Sequence, residues 1–272
     1  MHFSTILVGA SALLAPVLAQ TWSDCNPTKN TTCPNDPGFG IDHTFDFKDK
    51  KAVTRSFNIT NGALSYGSDG TQFVINKQGE SPTIRSKFYI HFGSISVVMK
   101  AAKGQGIVSS IVIQSEDLDE IDWEFLGGNA THAQTNYFGK GDTTSYDRDI
   151  WHPVDTDVRD NFHNYTVDWT AEKMDFYIDS KKVRTLPYAA ANGGKNYPQT
   201  PSTVRLGIWA GGDKDNNGKW TVIWAGGETD FKQAPFTMYV KETHVKDYGS
   251  GKEYVWSDQS GDFKSIKSVG YV

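Results

Sequence analysis

The chain predicts an all-β fold: a sandwich of two antiparallel sheets with jelly-roll connections, built as a single domain. Three observations carry this expectation. Period-two alternation recurs in ten or more short segments, aromatic residues make up 13% of the 272 residues, and turn signals rather than helical stretches separate the segments. The alternating runs are "QFVIN", "FYIHFGSISVVMKAA", "IVSSIVIQS", "EIDWEFL", "AQTNYFGKG", "NYTVDWT", "KMDFYIDSKKVRTL", "TVRLGIWAGG", "TVIWAGG" and "FTMYVKETHVKDY". All are rich in β-branched and aromatic side chains, which suit a pleated, half-buried surface. Turns are expected at Ser68-Asp69-Gly70, Lys103-Gly104-Gln105-Gly106, Asn192-Gly193-Gly194 and Asn216-Asn217-Gly218. The stretch "YAAANGGK" from Tyr188 is long enough for a helical turn and no more.

The ends and the cysteines point to export. An apolar run from Ile6 to Ala19 is too short to span a membrane and closes on Val17-Leu18-Ala19, so residues 1–19 read as a secretory signal and residues 20–272 as the domain. The two cysteines, Cys25 and Cys33, lie close enough to bridge a short loop in an oxidising compartment. Asn30, Asn58, Asn129 and Asn164 each begin an Asn-x-Ser/Thr sequon, which suits an exported eukaryotic protein. The final "SIKSVGYV" carries neither a stalk nor the hydrophobic tail of a lipid-anchor signal. A net charge of −5 offers no basic face to nucleic acid, and a monomer without a transmembrane segment is expected.

The chemistry concentrates in "SEDLDEIDWEFLGG", Ser115 to Gly128. Glu116, Asp117 and Asp119 fall in or near the turn leading in. In the strand that follows, Glu120, Asp122 and Glu124 share one face while Ile121, Trp123 and Phe125 share the other. A flat strand separates the outer two acids by about 13 Å at Cα; on a concave, twisted sheet their carboxyl groups lean toward the ~5 to 5.5 Å used by retaining glycosidases. Mutual repulsion raises the pKa of at least one of the three, which is what a general acid needs. A solvated acidic face is the bland alternative, and the Ile-Trp-Phe back of the strand argues against it. Calcium binding by dense oxygen ligands is another.

Two further groups share strand faces. Arg205, Gly207 and Trp209 alternate on one face of "RLGIWAGG", where an indole can stack on a sugar ring and a guanidinium can donate to its hydroxyls, although a strand tryptophan is more often core. Gln134, Asn136 and Phe138 share a face on the strand after the acidic one, as substrate contacts or as structural amides. "DKDNNG", Asp213 to Gly218, copies the first half of a calcium-binding EF-hand loop, but Trp224 stands at its twelfth position where a glutamate is required, so it reads as a turn bordering the cleft. The seven histidines show no metal spacing, no phosphate loop or nucleophile elbow occurs, and neither a metal nor a cofactor is expected.

"DEIDWEFLG" resembles the E-x-D-x-E signature of glycoside hydrolase family 16. "QTNYFGKG", "FHNYTVDW", "RLGIWAGGD" and "APFTMYV" follow in the family's order, and the "QTW..CNP" start, "GDTTSYDR" and "YPQTPSTVRLGIWAGG" are similar to the fungal Crh cell-wall transglycosylases. The resemblance covers nearly all of the expected mature chain. It implies a concanavalin-like jelly roll with a cleft across the concave sheet, Glu120 as nucleophile, Glu124 as acid/base and Asp122 as the assisting residue. It also implies sugar contacts at Glu124, Arg205, Trp209 and Thr221, the loop before Thr221 being one residue longer here. The implied partners are a chitin donor and β-glucan or chitin oligosaccharide acceptors, at a secreted, cell-wall location. A plain hydrolase of β-glucan or chitin and a calcium-dependent lectin-like module are the competing expectations.

Overall fold

The computed structural model describes residues 22–271, so the expected signal segment lies outside the described residues. Alternation resolves into two layers. A seven-stranded antiparallel sheet runs in the order Ile150–Pro153, His132–Phe138, Glu120–Leu126, Ile107–Ser115, Ser202–Ala210, Thr83–Ser86, Phe57–Asn61. Against it lies an eight-stranded sheet whose path is Lys181–Pro187, Lys173–Ile178, His163–Trp169, Gly93–Lys100, Phe236–Asp247, Gly70–Ile75, Leu64–Gly67, with Asp42–Asp46 added beside Phe236–Asp247. Asp36–Pro37, Glu253–Trp256 and Ile266–Val269 form a small third sheet. The all-β, two-sheet expectation is met.

The core fills the space between the large sheets. Gly93–Lys100 is buried at every second residue, as one face in the core requires. Ile107–Ser115 and Ser202–Ala210 are buried throughout. Their outer faces must therefore be covered as well. From the acidic strand, Ile121, Trp123 and Phe125 enter the core at no more than 1% exposure. Trp123 meets Tyr165 and Phe176 of the opposite sheet at centroid separations of 5.4 and 5.7 Å, and Phe125 meets Tyr165 at 4.5 Å.

Several local expectations change. "KMDFYIDSKKVRTL" is a hairpin, with Asp179 (φ 48) and Ser180 (φ 69) both in the left-handed region that a two-residue turn following strand twist demands. "TVIWAGG" is not a strand. Lys219–Trp224 is a short helix closed by Val222 N–H to Gly218 O (3.2 Å) and Ala225 N–H to Thr221 O (2.8 Å). Contacts at its C-terminal end override the β-preference of its Thr-Val-Ile run: Trp224 stacks on Trp209, and Ala225, just past the last turn, is fully buried. The loop carrying this helix is pinned by close backbone approach, since a Cβ on Gly212 would lie 2.3 Å from the Gly227 carbonyl oxygen. A second helix, Lys50–Ser56, is capped by the Asp49 carboxylate accepting from Lys51 N–H at 2.8 Å, and is too short to register as a periodic pattern.

Cys25 and Cys33 form the expected disulfide, with Cα atoms 5.7 Å apart. Asn30 and Asn58 are exposed, and Asn129 and Asn164 are half-buried.

Truncating Trp123 to alanine removes the central aromatic contact between the layers. The expected cost is about 3–5 kcal/mol, read as a lower denaturant midpoint at unchanged m-value; a midpoint like that of the wild type would show that the layers do not depend on this ring.

Candidate active site

Strand register sets the surroundings of the acids. Across the antiparallel pair on one side, Phe138 lies opposite Glu120, Asn136 opposite Asp122 and Gln134 opposite Glu124. On the other side the partners are Gln114, Val112 and Ser110. One strand further on, Arg205 pairs with Val112, and beyond it Arg85 pairs with Arg205. Directly paired residues share a face, so the three carboxylates, Gln114, Arg205 and the Gln134-Asn136-Phe138 row all belong to the outer face of one sheet.

Glu120 sits among donors. Burial pushes its carboxyl up to about 7, opposed by a hydrogen bond from Asp122, by the charge of Arg205, and by Gln114, whose Nε2 donates to Oε2 at 2.9 Å. Asp122 is 3% exposed. Its carboxyl is held well above the usual range by burial, then by the charges of Glu120 and Glu124 and by its own bond to Glu120. Burial, Glu120 and Asp149 together push Glu124 up to about 8. Burial and the two flanking charges hold Asp122 toward its neutral, donating form, while Gln114, Arg205 and Asp122 favour the ionised form of Glu120 and only raising influences act on Glu124. An anionic carboxylate beside a neutral one is the pairing that double displacement at an acetal carbon needs.

Arg205 and Trp209 lie on the expected face, and both are covered. Arg205 is 0% exposed, with the Trp22 ring 4.2 Å from its guanidinium carbon and Nη2 donating to the Trp22 carbonyl at 3.0 Å. Burial and the neighbouring Arg85 lower its pKa to about 10, which leaves it a cation at neutral pH. Trp209 is 7% exposed beneath Trp224, the rings nearly parallel with centroids 6.0 Å apart, in a cluster with Val108, Leu126 and Ala225. Thr221, on the short helix, is half-buried beside this stack.

The amide row divides. Gln134 is 0% exposed and fully engaged, its Nε2 donating to Asp149 at 2.9 Å and its Oε1 accepting from Trp224 Nε1 at 3.2 Å. Its amide oxygen holds the Trp224 indole N–H. Asn136 and Phe138 remain half-buried, Phe138 under the Arg148 guanidinium at 5.1 Å. Asp213 of the rejected calcium motif accepts from Gln78 Nε2 (2.7 Å) and Asn216 Nδ2 (2.7 Å), which closes the turn. Among the described residues no cluster of three or more His, Cys, Asp or Glu is arranged to hold a metal ion.

Four residues on or beside this face are not read from the sequence as site residues: Trp22, Asp149, Trp151 and Trp224. Trp151 is exposed and pairs with Gln134, which puts it on the face of the acids. Its strand, Ile150–Pro153, is too short to show alternation. Trp224 is obscured by the β-like composition of its helix, and nothing in a linear pattern links Trp22 to Arg205.

A two-sheet β-sandwich with a row of three close acids on one face, flanked by tryptophans, is the arrangement expected of a glycoside hydrolase. The comparisons agree. Residues 52–226 match the model of "Glycosyl hydrolases family 16". "Crh-like protein 2" of Botryotinia fuckeliana is 62% identical over 267 residues, 98% of this chain and 59% of that protein. "Crh-like protein 5" of Aspergillus fumigatus is 48% identical over the whole chain and 68% of its own length. A solved structure, "Crh5 transglycosylase in complex with NAG", superposes with a TM-score of 0.86 at 48% identity, covering 90% of this chain and 99% of that one. The chain therefore belongs to glycosyl hydrolase family 16, among its Crh-like members. It spans about three fifths of the Botryotinia relative's length. No helix among the described residues is long and apolar enough to cross a membrane.

The raised carboxyls make a prediction about stability. Glu124, for example, rises from 4.5 to about 8, so the folded chain binds more protons than the unfolded chain between those values, and stability falls as pH rises through that window. Asp122→Asn removes one such group while keeping a donor toward Glu120. Its thermal midpoint is expected to decline less than that of the wild type between about pH 5 and about pH 8; parallel declines would show that Asp122 is not held neutral.

Proposed function

We propose that the protein is a secreted, retaining transglycosylase of the fungal cell wall that cleaves chitin and joins the new end to β-glucan or chitin acceptors. The observation that carries the reading is the contrast in surroundings on the acidic strand, with Gln114, Arg205 and Asp122 favouring the carboxylate of Glu120 while burial and like charge favour the protonated form of Glu124. In the first displacement the Glu120 carboxylate attacks the anomeric carbon while the carboxylic proton of Glu124 passes to the departing glycosidic oxygen. In the second, an acceptor hydroxyl gives its proton to the Glu124 carboxylate, its oxygen takes the anomeric carbon, and the bond to Glu120 breaks. Asp122 holds Glu120 in position and supports its negative charge.

The choice of polymer rests on the Crh-like relatives and on the NAG bound to one of them. The disulfide and the sequons support export. The indoles of Trp224 and Trp151 offer flat apolar faces beside the acids, which suits pyranose rings.

Incubating chitin oligomers with labelled laminari-oligosaccharide is expected to give a labelled hybrid product, insensitive to chelator and abolished in Glu120→Gln. A wild-type protein that releases only hydrolysed chitin would establish a plain hydrolase instead, and chelator-sensitive sugar binding without any product would establish a lectin.

A further inference from the structure

We propose that the segment Trp22–Asp24 is a positioning element of the active site: it holds Gln114 and Arg205 in the orientation in which both face the carboxylate of Glu120. The inference rests on the reading of Glu120 as nucleophile. Its ground is a chain of contacts that crosses about ninety residues of sequence and ends at that carboxylate.

A glutamine amide is asymmetric, with a donor end and an acceptor end. Trp22 N–H donates to Gln114 Oε1 at 3.1 Å, which leaves Nε2 to donate to Glu120 Oε2 at 2.9 Å. The flipped amide would bring the NH2 group against the Trp22 N–H and an oxygen against the carboxylate, so Trp22 selects the productive orientation. The same residue secures Arg205 by stacking at 4.2 Å and by accepting Nη2 at 3.0 Å, while Nε reaches Thr203 Oγ1 at 3.3 Å. Arg205 is thereby kept out of water, where its charge acts on Glu120 with less screening.

The segment is itself anchored. Ser23 Oγ and Asp24 N–H both donate to Glu116 Oε2 at 3.0 Å, and Arg85 Nη1 donates to the Asp24 carboxylate at 2.6 Å. Arg85 also pairs with Glu116, whose Oε1 accepts from Tyr89 Oη at 2.6 Å. The next residue, Cys25, is tied to Cys33. The groups facing Glu120 are then Gln114 and Arg205 from neighbouring strands, Phe138 from the other side, and Asp122 and Glu124 from its own strand. Arg85, Glu116 and Tyr89 stand behind Arg205, and Asp149 beyond Glu124.

The test follows the carboxylate directly. In intact protein labelled with 13C at glutamate carboxyls, the Glu120 resonance is assigned by its loss in Glu120→Gln and titrated in wild type, Trp22→Ala and Trp22→Phe, with thermal unfolding as the check on folding. In Trp22→Ala, which removes the ring over Arg205 and keeps the backbone contacts, the Glu120 midpoint is expected to move upward, with kcat for hybrid formation falling about tenfold, the scale of a desolvated cation–π contact, and KM staying within about twofold. Trp22→Phe, which keeps a ring over Arg205, is expected to return both values toward wild type. A folded Trp22→Ala protein with an unmoved Glu120 midpoint overturns the proposal, and so does a rise in KM at constant kcat, which would make Trp22 a platform for sugar. Trp22→Leu serves the same comparison if the alanine variant does not fold. A wild-type protein inactive on these oligosaccharides would refute the function above and leave the titration to decide this inference.

Discussion

The strand Glu120–Leu126 must meet two opposed demands at once. Its back carries Ile121, Trp123 and Phe125 into the core of the sandwich, and its front carries three carboxylates that repel one another. Neither demand can be relaxed alone, because a shift of register by one residue would put the acids in the core and the indole on the outer face. The remaining architecture of the site follows from this constraint. A proton on Asp122, an amide from Gln114 and the buried cation of Arg205 offset the repulsion at Glu120, while nothing comparable offsets it at Glu124. The two glutamates therefore differ in proton affinity although the strand treats them alike.

The acids just upstream serve a different purpose. Glu116, Asp117 and Asp119 are at most 5% exposed. Asp117 Oδ1 accepts from Ser115 and Thr200 hydroxyls, Asp119 from the Lys140 and Gln199 backbone and from Thr200, and Glu116 gathers Arg85, Tyr89 and the N-terminal segment. One acid-rich stretch thus divides into a scaffold and a site. The scaffold half fixes the turn and the loops around it, and through Glu116 it also anchors the segment that covers Arg205.

Much of this was legible in the linear sequence, because alternation is local. Glu120, Asp122 and Glu124 share a face whatever the rest of the chain does, and the strands around them announce themselves by composition. What lay beyond the sequence depends on contacts between distant segments. Thr221 to Trp224 has the composition of a strand and becomes helical because Trp224 finds Trp209. Arg205 alternates as an outward residue and ends fully buried, because Trp22 lies over it. Gln134 could equally have faced a sugar, and only Asp149 and the Trp224 indole show that both ends of its amide are taken.

The central claim is that the two glutamates differ in role because their surroundings set their protons apart. It is tested most directly by intact-mass and peptide mapping of the Glu124→Gln protein after exposure to a chitin-oligomer donor with an activated leaving group that needs no protonation. The account predicts a covalent glycosyl adduct that accumulates on the peptide bearing Glu120, since formation no longer needs the acid and breakdown still needs the base. An adduct on another residue, or turnover without any adduct, would contradict it.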